Sequence, residues 1–232
     1  MPRVAMQPPY PARPRNPANR TRIPSVGQNR TMSLKIPVAH DFVCPWCWVA
    51  VHQMERLRRE FEVEFEWLGY ELWPADLPRP VAEPPRVIPT MPPIPTRLDL
   101  MLATENMELP PVERPKRMNS HKALLAAEYA KVQGLGEQFI LELYRAYWER
   151  GEFISETEYL CNEAGRHGMD PESMRNSIES EEFADTVVGF DAPAYKTGIF
   201  HVPTFIIDGK RYAEQPFRVL EKAVAEATKV SH

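Results

Sequence analysis

The sequence predicts an α/β domain in which a βαβ half and a ββα half are separated by a long proline-rich loop and a large helical insertion. Three observations carry this. A short apolar strand, Lys35-Ile36-Pro37-Val38-Ala39, runs into a helix through Cys44-Pro45-Trp46-Cys47. A block from about residue 119 to 197 has helical spacing and no strand signal inside it. Strand signals then return at Thr204-Phe205-Ile206-Ile207, with Asp208-Gly209 as a hairpin turn.

Taken in order, the first strand ends before Asp41 and the first helix carries Val51, Met54, Leu57 and Phe61 on one face. Glu62-Val63-Glu64-Phe65-Glu66-Trp67-Leu68 alternates charged and apolar residues, the pattern of a half-buried strand. Strand, helix and strand in this order make a βαβ unit with parallel strands. Prolines cluster from Pro74 to Pro95, which predicts an extended surface loop, with a short helix near Thr96 to Ala103. Lys122 to Val132 carries Leu124, Leu125 and Tyr129 at helical spacing. Glu137 to Arg150 carries Phe139, Leu143, Tyr147 and Trp148, and Gly151 stops it. Ser155-Glu156-Thr157-Glu158 predicts a capped helix start running to about His167. Asp170-Pro171-Glu172 opens another helix, and Glu181 to about Lys196 is expected to form one more. Lys210-Arg211-Tyr212 answers the strand before it, and a last helix from Pro216 to about Ala227 presents Phe217, Leu220 and Val224.

The 232 residues include 25 prolines, and the second proline cluster lies at the N-terminus. Residues 1–33 hold Pro2, Pro8, Pro9, Pro11, Pro14, Pro17 and Pro24, six arginines and no acid, so a disordered Pro/Arg-rich tail is expected there. The tail lacks the continuous apolar core of a secretory signal, and its prolines spoil the amphipathic helix of a transit peptide. Met32 directly precedes the first strand, which leaves open a start assigned upstream of the true one. The folded domain is expected to span residues 34–232. A net charge of −4 excludes an obvious nucleic-acid or anionic-membrane surface. No apolar run approaches the ~18 residues of a membrane span. Three cysteines in a chain without a recognisable signal fit a reducing, cytoplasmic compartment.

A pair of cysteines two residues apart can be a redox couple, half a metal site or a coincidence. The flanks favour the first. Cys44 falls at a helix N-terminus, where exposed N–H groups and the macrodipole favour an anion, and Cys47 follows one turn later. The metal reading needs two more ligands, and a second Cys-x-x-Cys is absent, although His40 or His201 remains open as a partner.

The element order matches the thioredoxin fold with a helical insertion, and several motifs resemble one branch of it. Asp41-Phe42-Val43-Cys44-Pro45-Trp46-Cys47-Trp48 resembles the active-site segment of DsbA-like oxidoreductases, closest to the cytoplasmic FrnE-type branch. Tyr70-Glu71-Leu72 with Asp76-Leu77-Pro78, Asn119-Ser120-His121-Lys122-Ala123-Leu124 and Tyr144-Arg145-Ala146-Tyr147-Trp148 are similar to the same branch. So are Val202-Pro203-Thr204-Phe205, Ile207-Asp208-Gly209-Lys210 and Gln215-Pro216. The resemblance covers residues 34 to 228. It departs at His201, where the branch carries a small residue, and at a shorter segment before Gln215-Pro216. Both departures lie beside the expected substrate groove.

The resemblance implies a dithiol–disulfide oxidoreductase acting on a protein or small-molecule thiol, with Cys44 attacking and Cys47 resolving the mixed disulfide. Pro45 and Trp46 between the thiols would tune the potential. Val202-Pro203 would form a cis peptide facing the pair, its backbone free to receive a ligand. His201 beside that loop is either a proton donor near Cys44 or a loop residue without a chemical task. Asp41 either caps the turn or, as preferred here, is a solvated turn residue. Trp48 and Phe42 are expected to line either the groove or, as preferred here, the core, with Cys161 on an inward helix face and His121 at the surface. No tightly bound cofactor is expected. Glutathione enters as a co-substrate, and the alternative function is a glutathione-dependent isomerase or transferase on a small aromatic substrate. Relatives of that kind typically carry Ser in place of Cys44 and lack the second cysteine. Oligomeric state is not legible.

Overall fold

A computed structural model describes residues 33–75, 94–116, 118–190 and 192–230. The expected disordered tail and most of the proline-rich loop lie outside the described residues. Strand β1 (Leu34–His40) buries Ile36, Val38 and Ala39, and leads into helix α1 (Pro45–Glu60). Helix α1 lays Cys47, Trp48, Val51, Met54 and Leu57 against the core, and strand β2 (Val63–Glu71) follows it. β2 pairs parallel with β1, from Leu34 opposite Val63 to His40 opposite Gly69. Its alternation of buried and exposed residues gives way to continuous burial from Gly69 to Glu71. That end of the strand passes under the helical block, where both of its faces are covered.

Helix α2 (Arg97–Glu105) precedes the block, which comprises α3 (His121–Val132), α4 (Gly136–Arg150), α5 (Thr157–Arg166) and α6 (Pro171–Glu179). Thr96 and Asp99 cap α2 reciprocally, and Asp170 caps α6 by accepting from the Ser173 N–H. α4 ends at Gly151, whose φ of 69° suits glycine and where a side chain would run into the Glu113 carbonyl. The expected capping box at Ser155 does not form. Glu156 is the N-cap of α5 without a side-chain bond, and Ser155, one residue earlier, donates its hydroxyl to the Asn119 carbonyl.

Residues 181–196 correct a second expectation. In place of one helix there is a 3-10 turn (Ala184–Thr186), a short strand β3 (Val188–Gly189) and helix α7 (Ala192–Thr197). Glu181 adopts a φ of 52°, which a right-handed helix does not allow. Val188 and Gly189 pair with Tyr70 and Glu71 at the edge of β2, so the expectation of no strand within the block fails as well.

Strand β4 (Thr204–Ile207), the Asp208-Gly209 turn and strand β5 (Lys210–Ala213) form the expected hairpin, followed by helix α8 (Phe217–Val230). Both turn residues take positive φ, 49° and 72°, as such a two-residue turn requires. β4 runs antiparallel to β1, with Val38 opposite Phe205 and Ala39 opposite Thr204. The sheet order is therefore β3-β2-β1-β4-β5. This topology positions the site: the turn leaving the C-terminal end of β1 lies beside the loop entering β4. Among the described residues no helix is long and apolar enough to cross a membrane.

Candidate active site

Residues 41–44 connect β1 to α1 and bring Cys44 to the N-cap position, with Pro45 at the first helical position. Proline loses nothing there, since that N–H has no helical partner. No side chain caps the helix. Cys44 accepts at its own carbonyl from the N–H groups of Cys47 and Trp48, at 3.0 and 3.2 Å. Its thiol donates to the Val202 carbonyl at 3.2 Å. Cys47 lies 3.7 Å from Cys44, and both are free thiols. Cys44 is 5% exposed and Cys47 1% exposed. Burial first, then a hydrogen bond and charge repulsion from Cys44, push the Cys47 thiol well above the ordinary thiol range.

The fold thus brings Cys44, Cys47 and Val202 together across 158 residues of chain. The Val202–Pro203 peptide bond is cis. Trp46 is half-buried beside the pair, with the Arg97 guanidinium 5.3 Å from its ring centre. His201 is elsewhere engaged: its ring is 65% exposed and its Nδ1 lies 3.9 Å from Glu214. Glu214 also pairs with Arg97 at 2.9 Å.

Asp41 overturns its expectation as a solvated turn residue, being 0% exposed. Oδ1 accepts from the Val43 N–H at 3.2 Å and Oδ2 from the Leu72 N–H at 2.8 Å, so one carboxyl ties the active-site turn to the end of β2. Burial pushes this carboxyl up to about 6, against the pull of hydrogen bonds from Leu72, Ser120 and Val43. His121 is likewise not simply at the surface. It is partly buried and its Nδ1 lies 2.8 Å from the buried Glu71 carboxylate, a hydrogen bond that raises the imidazole above its ordinary value. Phe42 and Trp48 are core residues, and Cys161 is buried on α5, as the sequence predicts.

Two residues of this neighbourhood, His40 (weighed only as a metal ligand) and Tyr144 (quoted only within a family-like motif), meet in a contact that sequence reasoning missed. His40, at the last position of β1, is 2% exposed, and Tyr144 of α4 is fully buried. The His40 Nδ1 and Tyr144 hydroxyl lie 3.1 Å apart, and that hydroxyl donates to the Asp41 carbonyl at 3.2 Å. One turn further along α4, the Trp148 indole N–H donates to the Phe42 carbonyl at 2.8 Å. Tyr144 was detectable as a member of the apolar stripe of α4, four residues after Ile140. Its polar partner was not.

A family model described as DSBA-like thioredoxin domain matches residues 35–225. An uncharacterized protein of Bacillus subtilis, YwbO, is 25% identical over 205 residues, covering 85% of this chain and 99% of that one. A probable DsbA oxidoreductase from Streptomyces coelicolor shares the fold with a TM-score of 0.62 at 23% identity, over 84% of this chain and 89% of that one. A 2-hydroxychromene-2-carboxylate isomerase gives 0.60 at 14% identity, over 83% and 95% of the two chains. The cytosolic disulfide reductase DsbM from Pseudomonas aeruginosa gives 0.55 at 19% identity, over 84% and 100%, and has also been solved with GSH.

Proposed function

We infer, for a chain that belongs to the DsbA-like thioredoxin domain family, that Cys44 and Cys47 exchange electrons with a thiol or disulfide substrate. One observation carries this reading. Cys44 sits at the N-cap of α1 with its sulfur 3.2 Å from the Val202 carbonyl, and Cys47 stands 3.7 Å behind it. The first thiol is placed at the positive end of a helix, and the second within reach of it.

In the reductive direction, the Cys44 thiolate attacks one sulfur of a substrate disulfide. A bond forms between Cys44 and that sulfur, the substrate S–S bond breaks, and the other substrate sulfur leaves as a thiolate and takes a proton. Cys47 then attacks the Cys44 sulfur. The protein disulfide forms, the mixed disulfide breaks, and the second substrate thiol departs. The protein loses two electrons and the substrate gains them. Run backwards, the same steps oxidise a dithiol. The Val202 backbone would hold the substrate segment beside Cys44, with Pro45 and Trp46 tuning the pair. We propose a protein thiol or glutathione as the substrate, and a reducing, cytoplasmic compartment. The GSH complex of DsbM makes glutathione the first small thiol to try.

The test is a redox titration of the full chain in glutathione buffers, with Cys44→Ser as control. A reversible two-electron couple that the variant lacks supports the reading, and its midpoint gives the direction of electron flow. Absence of any such couple in the native chain would sink it. Glutathione-dependent turnover of a small aromatic acid that survives Cys47→Ala would instead favour an isomerase or transferase.

A further inference from the structure

Of the seven large apolar side chains that the described residues leave exposed, three lie between residues 190 and 200. They are Phe190, Tyr195 and Phe200, exposed by 41%, 77% and 45%. Single exposed apolar side chains are ordinary, whereas a cluster of aromatic ones marks a contact surface. This cluster adjoins the thiol site. Phe200 stands two residues before Val202, whose carbonyl lies 3.2 Å from the Cys44 sulfur.

The backbone that carries Phe200 is pinned on both sides. Before it, Ile199 is buried, and its carbonyl accepts from the hydroxyl of the buried Tyr70 at 2.9 Å. The Ile199 N–H donates to the Thr197 hydroxyl at 3.3 Å, and Arg211 of β5 donates to the Thr197 carbonyl at 2.8 Å. After it, the Thr204 hydroxyl donates to the His201 carbonyl, and Val202 is buried against Cys44. Between these anchors Phe200 and His201 are exposed. Phe200 packs edge-on against Tyr195 of α7, with ring centres 5.5 Å apart. Tyr70 supports Phe190 as well, at a ring separation of 6.4 Å, and the Phe190 N–H donates to the Glu71 carbonyl at 2.9 Å. An aromatic side chain on a fixed backbone loses little entropy when a partner covers it, which is what a binding anchor requires.

We propose that Phe200 and Tyr195 receive an apolar side chain next to the reacting cysteine of a polypeptide substrate. This rests on the oxidoreductase reading above and narrows its substrate to a peptide or protein thiol. A cysteine that bonds to Cys44 must lie beside Val202, and the next residue of an extended substrate is about 3.5 Å further on. The step from Val202 to Phe200 is of the same order, so the aromatic pair meets the flanking side chain and not the cysteine itself. Continuity with the thiol site makes the substrate chain the occupant. Glutathione has no apolar side chain and gains nothing from this surface.

The test uses the reduced full chain and synthetic peptides whose single cysteine is capped as a mixed disulfide with 5-thio-2-nitrobenzoate. Attack by Cys44 forms its bond to the peptide sulfur, breaks the mixed disulfide and releases the coloured thiolate. One peptide has leucine on both sides of the cysteine and the other has serine. Each rate is divided by that of dithiothreitol with the same peptide, which removes differences in intrinsic reactivity. The native chain is expected to favour the leucine peptide about tenfold, the effect of partly burying one leucine side chain. Glutathione capped in the same way should react within about twofold of the serine peptide. Phe200→Ser should bring the leucine-to-serine ratio to within about twofold of unity, while Phe200→Leu keeps most of it. Tyr195→Ser, at the more exposed position, should lower the ratio about threefold and decides the matter where Phe200→Ser does not fold. Equal rates for the two peptides with the native chain, or an unchanged ratio in both serine variants, overturn the proposal. A native dimer in sedimentation that Tyr195→Ser dissociates gives the surface to a second copy and also overturns it. Release of no thiolate from any of the three disulfides overturns the oxidoreductase reading itself.

Discussion

Trp148 donates its indole N–H to the Phe42 carbonyl at 2.8 Å, and its ring stacks on Trp48 at 6.2 Å. With Tyr144 on the Asp41 carbonyl, this gives α4 two grips on the active-site turn, four residues apart on one helix face. The helical block is therefore part of the machinery that shapes the turn. Trp148→Phe keeps most of the packing but orphans a buried carbonyl. We expect urea unfolding to show a loss of about 1–3 kcal/mol, together with an altered rate of Cys44 alkylation. Unchanged stability and alkylation would mean the grip is incidental.

Asp41 has a folded value raised to about 6 from its ordinary 3.8. The native state therefore holds the proton more tightly than the unfolded chain does. Stability contributed at low pH is lost as pH rises from about 4 to 6, by roughly 3 kcal/mol in the limit. Asp41→Asn removes this component. The difference between native and variant unfolding free energies, measured from pH 3.5 to 7.5, should change across that window and be flat above it.

The Glu71–His121 pair has the opposite relation to charge. His121 gains a partner on folding and its value is raised, so the pair stabilises fully below about pH 6.5 and fades as pH rises through the folded value. His121→Gln should lose stability at pH 6 and much less at pH 9. A pH-independent loss would show that the ring acts through packing alone.

Glu105 closes the other side of the domain. Its side chain is 2% exposed, accepts the Phe217 N–H of α8 at 2.6 Å and Gln53 at 3.1 Å, and pairs with Arg56 at 2.7 Å. Glu105→Ala is expected to cost about 2–3 kcal/mol, as a buried, multiply bonded carboxylate is removed and its donors are orphaned. Hydrogen exchange at the first turn of α8 should accelerate more than the global loss explains.

Cys161 is 2% exposed, and burial pushes its thiol up. Alkylation of the reduced native chain should find Cys44 reactive, with Cys161, like the buried Cys47, silent until denaturant is added. Cys161→Ala should leave the redox titration of the Cys44/Cys47 pair unchanged. Reactivity of Cys161 in the native state would refute its assignment as a packing residue.

Much of this architecture was legible in local sequence. The alternation of β2, the stripe on α1, the Asp208-Gly209 turn and Pro45 after Cys44 each follow from short-range rules, and the structure places them as expected. The failures share a cause. Val188 and Gly189 become a strand because Tyr70 and Glu71 offer an open edge far away in the chain. Ser155, expected at a capped helix start, instead donates its hydroxyl to the carbonyl of Asn119, 36 residues away in the chain.

The sequence by itself determined the thiol pair, the helix end on which it sits and the order of elements around it, since each depends on residues within a turn of one another. The tertiary structure alone decided what surrounds the pair. Val202 reaches Cys44 across 158 residues, Leu72 buries Asp41 across 31, and Tyr144 meets His40 across 104. A polar residue next to a turn reads as solvated until a distant chain segment covers it. Only the sheet and the helical block supply that cover, and with it the low-dielectric floor beneath the two thiols.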